Sequence, residues 1–178
     1  KEERAFIVSI NITSEHIANQ KLSRKLIEKI ESFHIPTKYL EFEITESMVI
    51  EDFNLAVENI TMLKANGIKI SMDDFGTGYS SLNYLKSLPI DIIKIDKSFI
   101  DTINRDEKDK VLLKNIINIA HGFHLDVIAE GVENSDQLEI LNEMQCDMYQ
   151  GYYFGKPVDK NSFEKLFTDY NKLLLAKA

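Results

Sequence analysis

Short segments rich in β-branched residues recur along the chain, and a stretch with helical periodicity follows each of them. The six segments cover residues 6–12, 40–45, 69–75, 92–96, 126–130 and 147–153. Successive segments start 21 to 34 residues apart, which fits βαβ units and is too long for hairpins. The pattern therefore predicts parallel strands joined by right-handed helical crossovers, in either a closed barrel or an open doubly wound sheet.

Between the strands, apolar residues at helical spacing form stripes that predict amphipathic helices. Three stripes consist of Leu26, Ile27, Ile30 and Phe33; of Ala56, Ile60 and Leu63; and of Leu112, Ile116, Ile119 and Phe123. Gly67 is placed to end the second helix, because glycine adopts the left-handed conformation easily. Ser135 is predicted to N-cap a fourth helix. His121 and His124 are predicted to lie exposed near the end of the third helix.

Each predicted strand ends in a side chain that can bind a metal ion or a proton. These residues are Asn11, Glu43, Asp73 with Asp74, Lys94 with Asp96, Glu130, and Gln150. In a parallel barrel such strand ends converge on one face, whereas an open sheet spreads them along a line. Glu41 and Glu43 alone would fit the solvent face of a half-buried strand. Six strands that end alike favour a barrel with one shared site.

Asp73 and Asp74 form the strongest candidate pair for metal binding. Two adjacent carboxylates after the segment 68–72 would repel each other in a desolvated pocket unless positive charge were present. Carboxylate and amide oxygens suit Mg²⁺ or Mn²⁺ better than zinc. Two ions that share Asp73 could stabilise the attacking and leaving oxygens of a phosphoryl transfer. Lys94, inside the apolar run 92–95, could hold the nucleophilic water or the phosphate.

Composition narrows the class of protein. The 178 residues include 29 acidic and 21 basic side chains, so the formal net charge is −8 and DNA binding is not expected. The single cysteine, Cys146, allows no intrachain disulfide and fits a reducing compartment. No apolar run approaches the length of a membrane helix, so we expect a cytoplasmic domain without direct membrane insertion, although a full-length protein could be membrane-tethered.

Six motifs in this order resemble those of the EAL-domain cyclic di-GMP phosphodiesterases. They are Ser9-Ile10-Asn11, Glu43-Ile44-Thr45-Glu46, the ten residues from Asp73 to Leu82, the seven from Lys94 to Ile100, Glu130-Gly131-Val132-Glu133, and Gln150-Gly151-Tyr152-Tyr153-Phe154. The block from Asp73 is close to diagnostic. The resemblance implies an α/β fold, a (β/α)₈ TIM-type barrel that hydrolyses cyclic di-GMP to linear pGpG with Mg²⁺ or Mn²⁺.

The resemblance also implies a role for each matching residue. Asn11, Glu43 and Asp73 would bind the first metal ion, and Asp73 with Asp74 the second. Glu130, Lys94 and Asp96 would be the catalytic residues. Lys94 and Glu130 would position and deprotonate the water, and Asp96 with Gln150 would support the metal waters and the substrate. Gln150, Glu46 and Glu133 would serve cofactor and substrate binding, and Glu46 would anchor the loop from Asp73 to Ser81, which links dimerisation to catalysis in this family.

The family's opening Glu-Xaa-Leu-Xaa-Arg strand, whose glutamate is a metal ligand, has no match in residues 1–178. We therefore expect one domain that holds about six βα units, the C-terminal three quarters of the barrel, with impaired activity and a tendency to associate. The expected partners are cyclic di-GMP, a second copy of the chain, and GGDEF or sensory domains. Two alternatives stay open, a non-catalytic cyclic di-GMP receptor and a regulatory or dimerisation module.

Overall fold

A computed structural model describes residues 6–50, 52–76 and 82–176. Its elements, in chain order, are β1 (Val8–Asn11), α1 (Ser14–Ala18), α2 (Gln20–Ser32), a 3-10 helix (Thr37–Tyr39), β2 (Leu40–Thr45), α3 (Glu46–Ile50), α4 (Phe53–Ala65), β3 (Lys69–Phe75), α5 (Leu82–Ser87), β4 (Ile92–Ile95), α6 (Lys97–Thr102), α7 (Glu107–Gly122), β5 (Asp126–Glu130), α8 (Ser135–Glu143), β6 (Met148–Gln150) and α9 (Lys160–Ala176). Strands alternate with helices throughout, as the sequence pattern predicts.

The described strands form one parallel sheet whose spatial order, β1 to β6, follows the order in the chain. A doubly wound sheet would reverse its strand order at a switch point, and this sheet does not. Strands added successively in one direction, with right-handed crossovers, place all helices on the same face, and the sheet curls away from them. The prediction of a TIM-type α/β architecture in six βα units is confirmed.

The apolar core lies between the outer face of the sheet and the helices. Ile93 and Ile95 of β4 are fully buried there, together with Ile60 and Leu63 of α4 and Ile117 of α7. Because side chains alternate along a strand, Lys94 points to the opposite, inner face of the curled sheet. The core therefore fixes the direction in which the polar strand residues project.

Three local predictions need correction. The first and last strands are shorter than predicted, at four and three residues, and the chain turns after Gln150 because Phe154 N–H bonds Gly151 O. Asn134, and not Ser135, caps α8, since its side chain accepts the Gln137 N–H in a capping box. His121 is half-buried, and its Nε2 lies 2.8 Å from Asp147 Oδ2.

The same contact recurs at two places along the N-terminal edge of the sheet. Asp91, just before β4, accepts the Ile70 N–H at 2.9 Å and pairs with Lys64 at 2.7 Å. Asp147, just before β6, accepts the Val127 N–H at 2.8 Å and pairs with His121. In each case a carboxylate ties the start of one strand to the preceding strand and to the helix before it.

Asp91→Ala is expected to lower the free energy of unfolding by about 1–3 kcal/mol, because it leaves the Ile70 N–H without its acceptor. The measurement is chemical denaturation at neutral pH. Asp101→Ala serves as the control, since Asp101 is exposed on α6, and it should change stability by less than about 0.5 kcal/mol. Equal stability of the two variants would contradict the role assigned to Asp91.

Within the described residues, no helix combines the length and apolar character needed to cross a bilayer.

Candidate functional site

The inner face of the sheet carries a buried lysine surrounded by carboxylates. Lys94 Nζ lies 2.7 Å from Glu43 Oε1, 2.7 Å from Glu130 Oε1 and 3.5 Å from Asp73 Oδ1. The Lys94 side chain is only 4% exposed. These four residues come from the neighbouring strands β2, β3, β4 and β5, so the curl of the sheet brings together side chains that are far apart in sequence.

The charges of this cluster shift its pKa values. Burial alone would lower the pKa of Lys94, but hydrogen bonds to Glu130 and Glu43, with the charges of Glu130 and Asp73, outweigh it and raise that pKa. Burial raises the pKa of Glu130, and the interaction with Lys94 offsets only part of this rise. The carboxylates therefore favour the charged form of Lys94, while Glu130 holds a proton more readily than an exposed glutamate does.

A β-bulge in β3 determines where Asp73 and Asp74 lie. Met72 pairs with Ile93 and Phe75 with Ile95, so β3 has one residue more than β4 between these pairs. Asp74 has a φ of 54°, in the left-handed region that residues other than glycine rarely adopt. Bulges of this kind redirect side chains and are common beside active sites. Two adjacent acids can thus lie at one place on the sheet.

The electrostatics of Asp74 reflect this crowding. Burial raises its pKa first, and the charges of Asp73 and Asp96 raise it further. Asp73 Oδ1 is buried and accepts no hydrogen bond from the residues that the structure describes. Carboxylate oxygens in such surroundings are stabilised by a nearby cation.

The remaining predicted residues lie around this cluster at the ends of the strands. Asn11 ends β1 and pairs in register with Glu43. Asp96 caps α6, and hydrogen bonding from the Ser98 hydroxyl lowers its pKa. Gln150 pairs in register with Glu130. Glu46 begins α3, whereas residues 77–81 of the loop assigned to it lie outside the described residues.

Glu133 contacts a residue that the sequence did not single out. Its Oε1 lies 2.5 Å from Lys97 Nζ. No motif or spacing in the chain pairs these two residues, which are 36 positions apart. Only the position of Lys97 after β4, beside the loop that follows β5, could have indicated the contact.

Among the described residues, no three His, Cys, Asp or Glu side chains are grouped closely enough to hold a metal ion by themselves. The ammonium group of Lys94 lies within 3.5 Å of an oxygen of Glu43, of Asp73 and of Glu130. The candidate donor atoms are nevertheless all oxygen, and they include Asp73 Oδ1, which accepts no hydrogen bond from the described residues. In chemical type it fits a hard divalent cation better than zinc.

Comparisons with known proteins agree with this arrangement. Signaling protein YkoW of Bacillus subtilis (strain 168) is 41% identical over 162 residues, which cover 91% of this chain and 20% of that protein. Cyclic di-GMP phosphodiesterase NbdA of Pseudomonas aeruginosa (strain PAO1) is 35% identical over 163 residues, which cover 92% of this chain and 21% of that protein. The chain therefore spans about a fifth of the length of these curated relatives.

Among solved structures, the PaMucR phosphodiesterase in its c-di-GMP complex is similar, with a TM-score of 0.83 and 32% sequence identity. The match covers 88% of this chain and 64% of that one. The family model for the EAL domain matches residues 1–157. The strand-end motifs, the parallel sheet and these matches agree, and the chain belongs to the EAL domain family.

Proposed function

We propose that this domain hydrolyses one phosphodiester bond of cyclic di-GMP to give linear pGpG, with Mg²⁺ or Mn²⁺ as cofactor. The observation that carries the proposal is the inner-face cluster, in which Lys94 lies among Glu43, Asp73 and Glu130. A relative named as a cyclic di-GMP phosphodiesterase and a similar phosphodiesterase solved with c-di-GMP support the choice of substrate.

The hydrolysis is metal-dependent in this proposal, and the oxygen-rich donor set supports that choice. In our proposal Asn11, Glu43 and Asp73 hold one ion, and Asp73 and Asp74 hold the second. Asp73 Oδ1 supports this assignment, because it accepts no hydrogen bond from the described residues and Lys94 approaches it only to 3.5 Å. When bound, the ions supply Lewis-acid stabilisation of phosphate oxygens and lower the pKa of water.

Glu130 is the general base in this proposal. Its Oε1 receives the hydrogen bond from Lys94, and the second carboxylate oxygen accepts the proton of the attacking water. Burial raises the pKa of Glu130 above that of an exposed glutamate, which strengthens it as a base. Lys94 orients Glu130 and Glu43 together, since it bonds both at 2.7 Å.

The other residues have supporting roles. Asp96 and Gln150 support the water and the substrate, while Glu46 and Glu133 complete the cofactor and substrate contacts. Homodimerisation, and GGDEF or sensory domains in the full-length protein, also belong to this proposal. The molar mass in solution, measured by light scattering, tests the dimer.

Hydrolysis of cyclic di-GMP by the full-length protein is expected with Mn²⁺ and Mg²⁺, and excess chelator should reduce the rate to background, because the carboxylates lose their counter-ions. Chromatography of the products should show linear pGpG. Binding of cyclic di-GMP without turnover, with either ion, would contradict hydrolysis and favour the non-catalytic receptor. If the protein neither binds nor hydrolyses cyclic di-GMP, the result would favour the regulatory or dimerisation module.

A further inference from the structure

Lys97 connects the end of β4 to the loop that follows β5. It is the first residue of α6, directly after Asp96, and its ammonium group bonds Glu133 at 2.5 Å. Glu133 lies three positions after Glu130, in the segment between β5 and α8. Lys97 therefore reaches over the backbone that leaves Glu130.

Gly131 shows where the methylene stem of Lys97 lies. Gly131 has a φ of 74°, and a Cβ atom at this position would lie 2.4 Å from Lys97 Cγ and 2.7 Å from Lys97 Cβ. Real Cβ atoms essentially never come so close to another heavy atom. The stem thus fills the space that the missing side chain leaves, against the backbone directly after Glu130.

The opposite side of the same segment is held by hydrogen bonds. Val132 N–H donates to Gln150 O at 3.0 Å, and Tyr153 N–H donates to Val132 O at 3.0 Å. These bonds attach the segment to β6. Lys97 contacts it from the side of β4, so the backbone after Glu130 is held between two neighbours.

Lys97 makes two contacts, an ion pair with Glu133 and packing of its methylene stem on Gly131, and they differ in strength. The side chains of Lys97 and Glu133 are 47% and 44% exposed, and ion pairs as exposed as this one contribute little to stability. The stem packs against backbone that hydrogen bonds to Gln150 and Tyr153 hold on the other side. Long lysine stems commonly cover apolar surface in this way while the charged group stays in water.

We propose that Lys97 is a positioning residue, whose stem, packed on Gly131, fixes the carboxylate of Glu130. The role of Glu130 as base rests on the proposed function, whereas the packing of Lys97 on Gly131 does not. Small displacements of a reacting group are costly, since a shift of about 1 Å can slow a reaction about 100-fold.

The first test compares two substitutions of Lys97 in the full-length protein. Lys97→Met keeps a stem of similar length and is expected to lower kcat by about 2-fold, whereas Lys97→Ala removes the stem and should lower kcat by about 10-fold. KM and the affinity for Mn²⁺, measured by titration calorimetry, should change little in both. Lys38→Ala is the control, because Lys38 lies over the Tyr39 ring beside the N-terminal end of β2, and it should behave like the wild type.

The second test combines Lys97→Ala with Gly131→Ala. Gly131→Ala alone introduces backbone strain and displaces the stem, and we expect kcat to fall about 100-fold. If the two residues act through one contact, kcat of the double variant should be no lower than that of Gly131→Ala. Independent effects would instead lower kcat roughly 1000-fold. Additive losses would overturn the proposal. Equal losses in Lys97→Met and Lys97→Ala, or a rise in KM alone, would also overturn it.

A third measurement does not depend on hydrolysis. Amide hydrogen exchange at residues 131–133 should be faster in Lys97→Ala than in the wild type and Lys97→Met. Unchanged exchange in Lys97→Ala would overturn the inference. Absence of hydrolysis in the wild type, with faster exchange in Lys97→Ala, would overturn the proposed function alone.

Discussion

Asp73→Asn is expected to lower kcat for cyclic di-GMP hydrolysis by about three orders of magnitude, because the substitution removes a carboxylate that both ions share in the proposed site. Each such ion supplies several kcal/mol of transition-state stabilisation. Asp74→Asn should also lose activity strongly, since Asp74 lies beside Asp73 at the bulge of β3. Steady-state hydrolysis with saturating Mn²⁺ measures both losses, and Mn²⁺ titration should show weaker binding.

Asp126→Asn is the matched control, because it removes one carboxylate from the exposed first residue of β5, at the opposite end of that strand from Glu130. It should retain near-normal hydrolysis. Binding of cyclic di-GMP should survive Asp73→Asn better than turnover does. Near-normal hydrolysis in both Asp73→Asn and Asp74→Asn would show that the two-metal assignment is wrong, even if the inner-face cluster binds the substrate.

The strands could be predicted from the sequence because a parallel strand buried on its helix-facing side gives a strong apolar signal. Four of the six, such as Leu40–Thr45 and Asp126–Glu130, begin where the pattern indicated. The ends were harder to predict. The chain turns after Gln150, where Phe154 N–H bonds Gly151 O, and Tyr153 N–H bonds the distant Val132 O. Alternation along the sequence carries no information about that long-range contact.

Helix caps and contacts at the edge of the sheet also depend on long-range contacts that a local sequence pattern does not show. Asn134 and Ser135 are both good N-cap residues, and their order in the chain does not decide between them. The reciprocal bond with Gln137 does. His121 was expected to be exposed, but Asp147, which is 26 positions away, approaches it across the edge of the sheet. These choices depend on tertiary distances.

The candidate site was largely predictable because the chemistry lies at the ends of strands, and parallel strands bring their ends together. Lys94, Glu43, Asp73 and Glu130 converge as their positions indicated. The bulge at Asp73 and Asp74 was not predictable, since an extra residue in one strand is defined only against its neighbour. Lys97 was missed for a similar reason, because its partners lie in another loop.

Lys94→Met is expected to lower the free energy of unfolding at neutral pH, without added metal, by about 3–5 kcal/mol. Methionine fills a similar volume, so lost packing contributes little. The cost arises because Glu43, Asp73 and Glu130 remain close together without the ammonium group that lies within 3.5 Å of all three. Chemical denaturation in the presence of a chelator measures the loss.

The pH dependence separates this electrostatic cause from a packing defect. Burial already raises the pKa of Glu130 in the folded wild type, and Lys94 lowers it in part. Without Lys94 the folded pKa rises further above the unfolded value. A carboxyl group with a raised folded pKa stabilises the fold below its unfolded pKa, and this contribution is lost as the pH rises through the folded pKa. The deficit of Lys94→Met should therefore shrink as the pH falls through the raised folded pKa of Glu130.

Divalent cations should also reduce the stability deficit of Lys94→Met, because Mn²⁺ can replace the missing positive charge among the carboxylates. Met72→Leu serves as the control, since Met72 lies buried on the other face of β3, and the change is apolar and nearly conserves volume. Its stability should depend on pH and Mn²⁺ as that of the wild type does. A deficit in Lys94→Met that stays constant with pH and with Mn²⁺ would mean that Lys94 stabilises the sheet through packing alone, and that the three carboxylates do not repel one another in the folded protein.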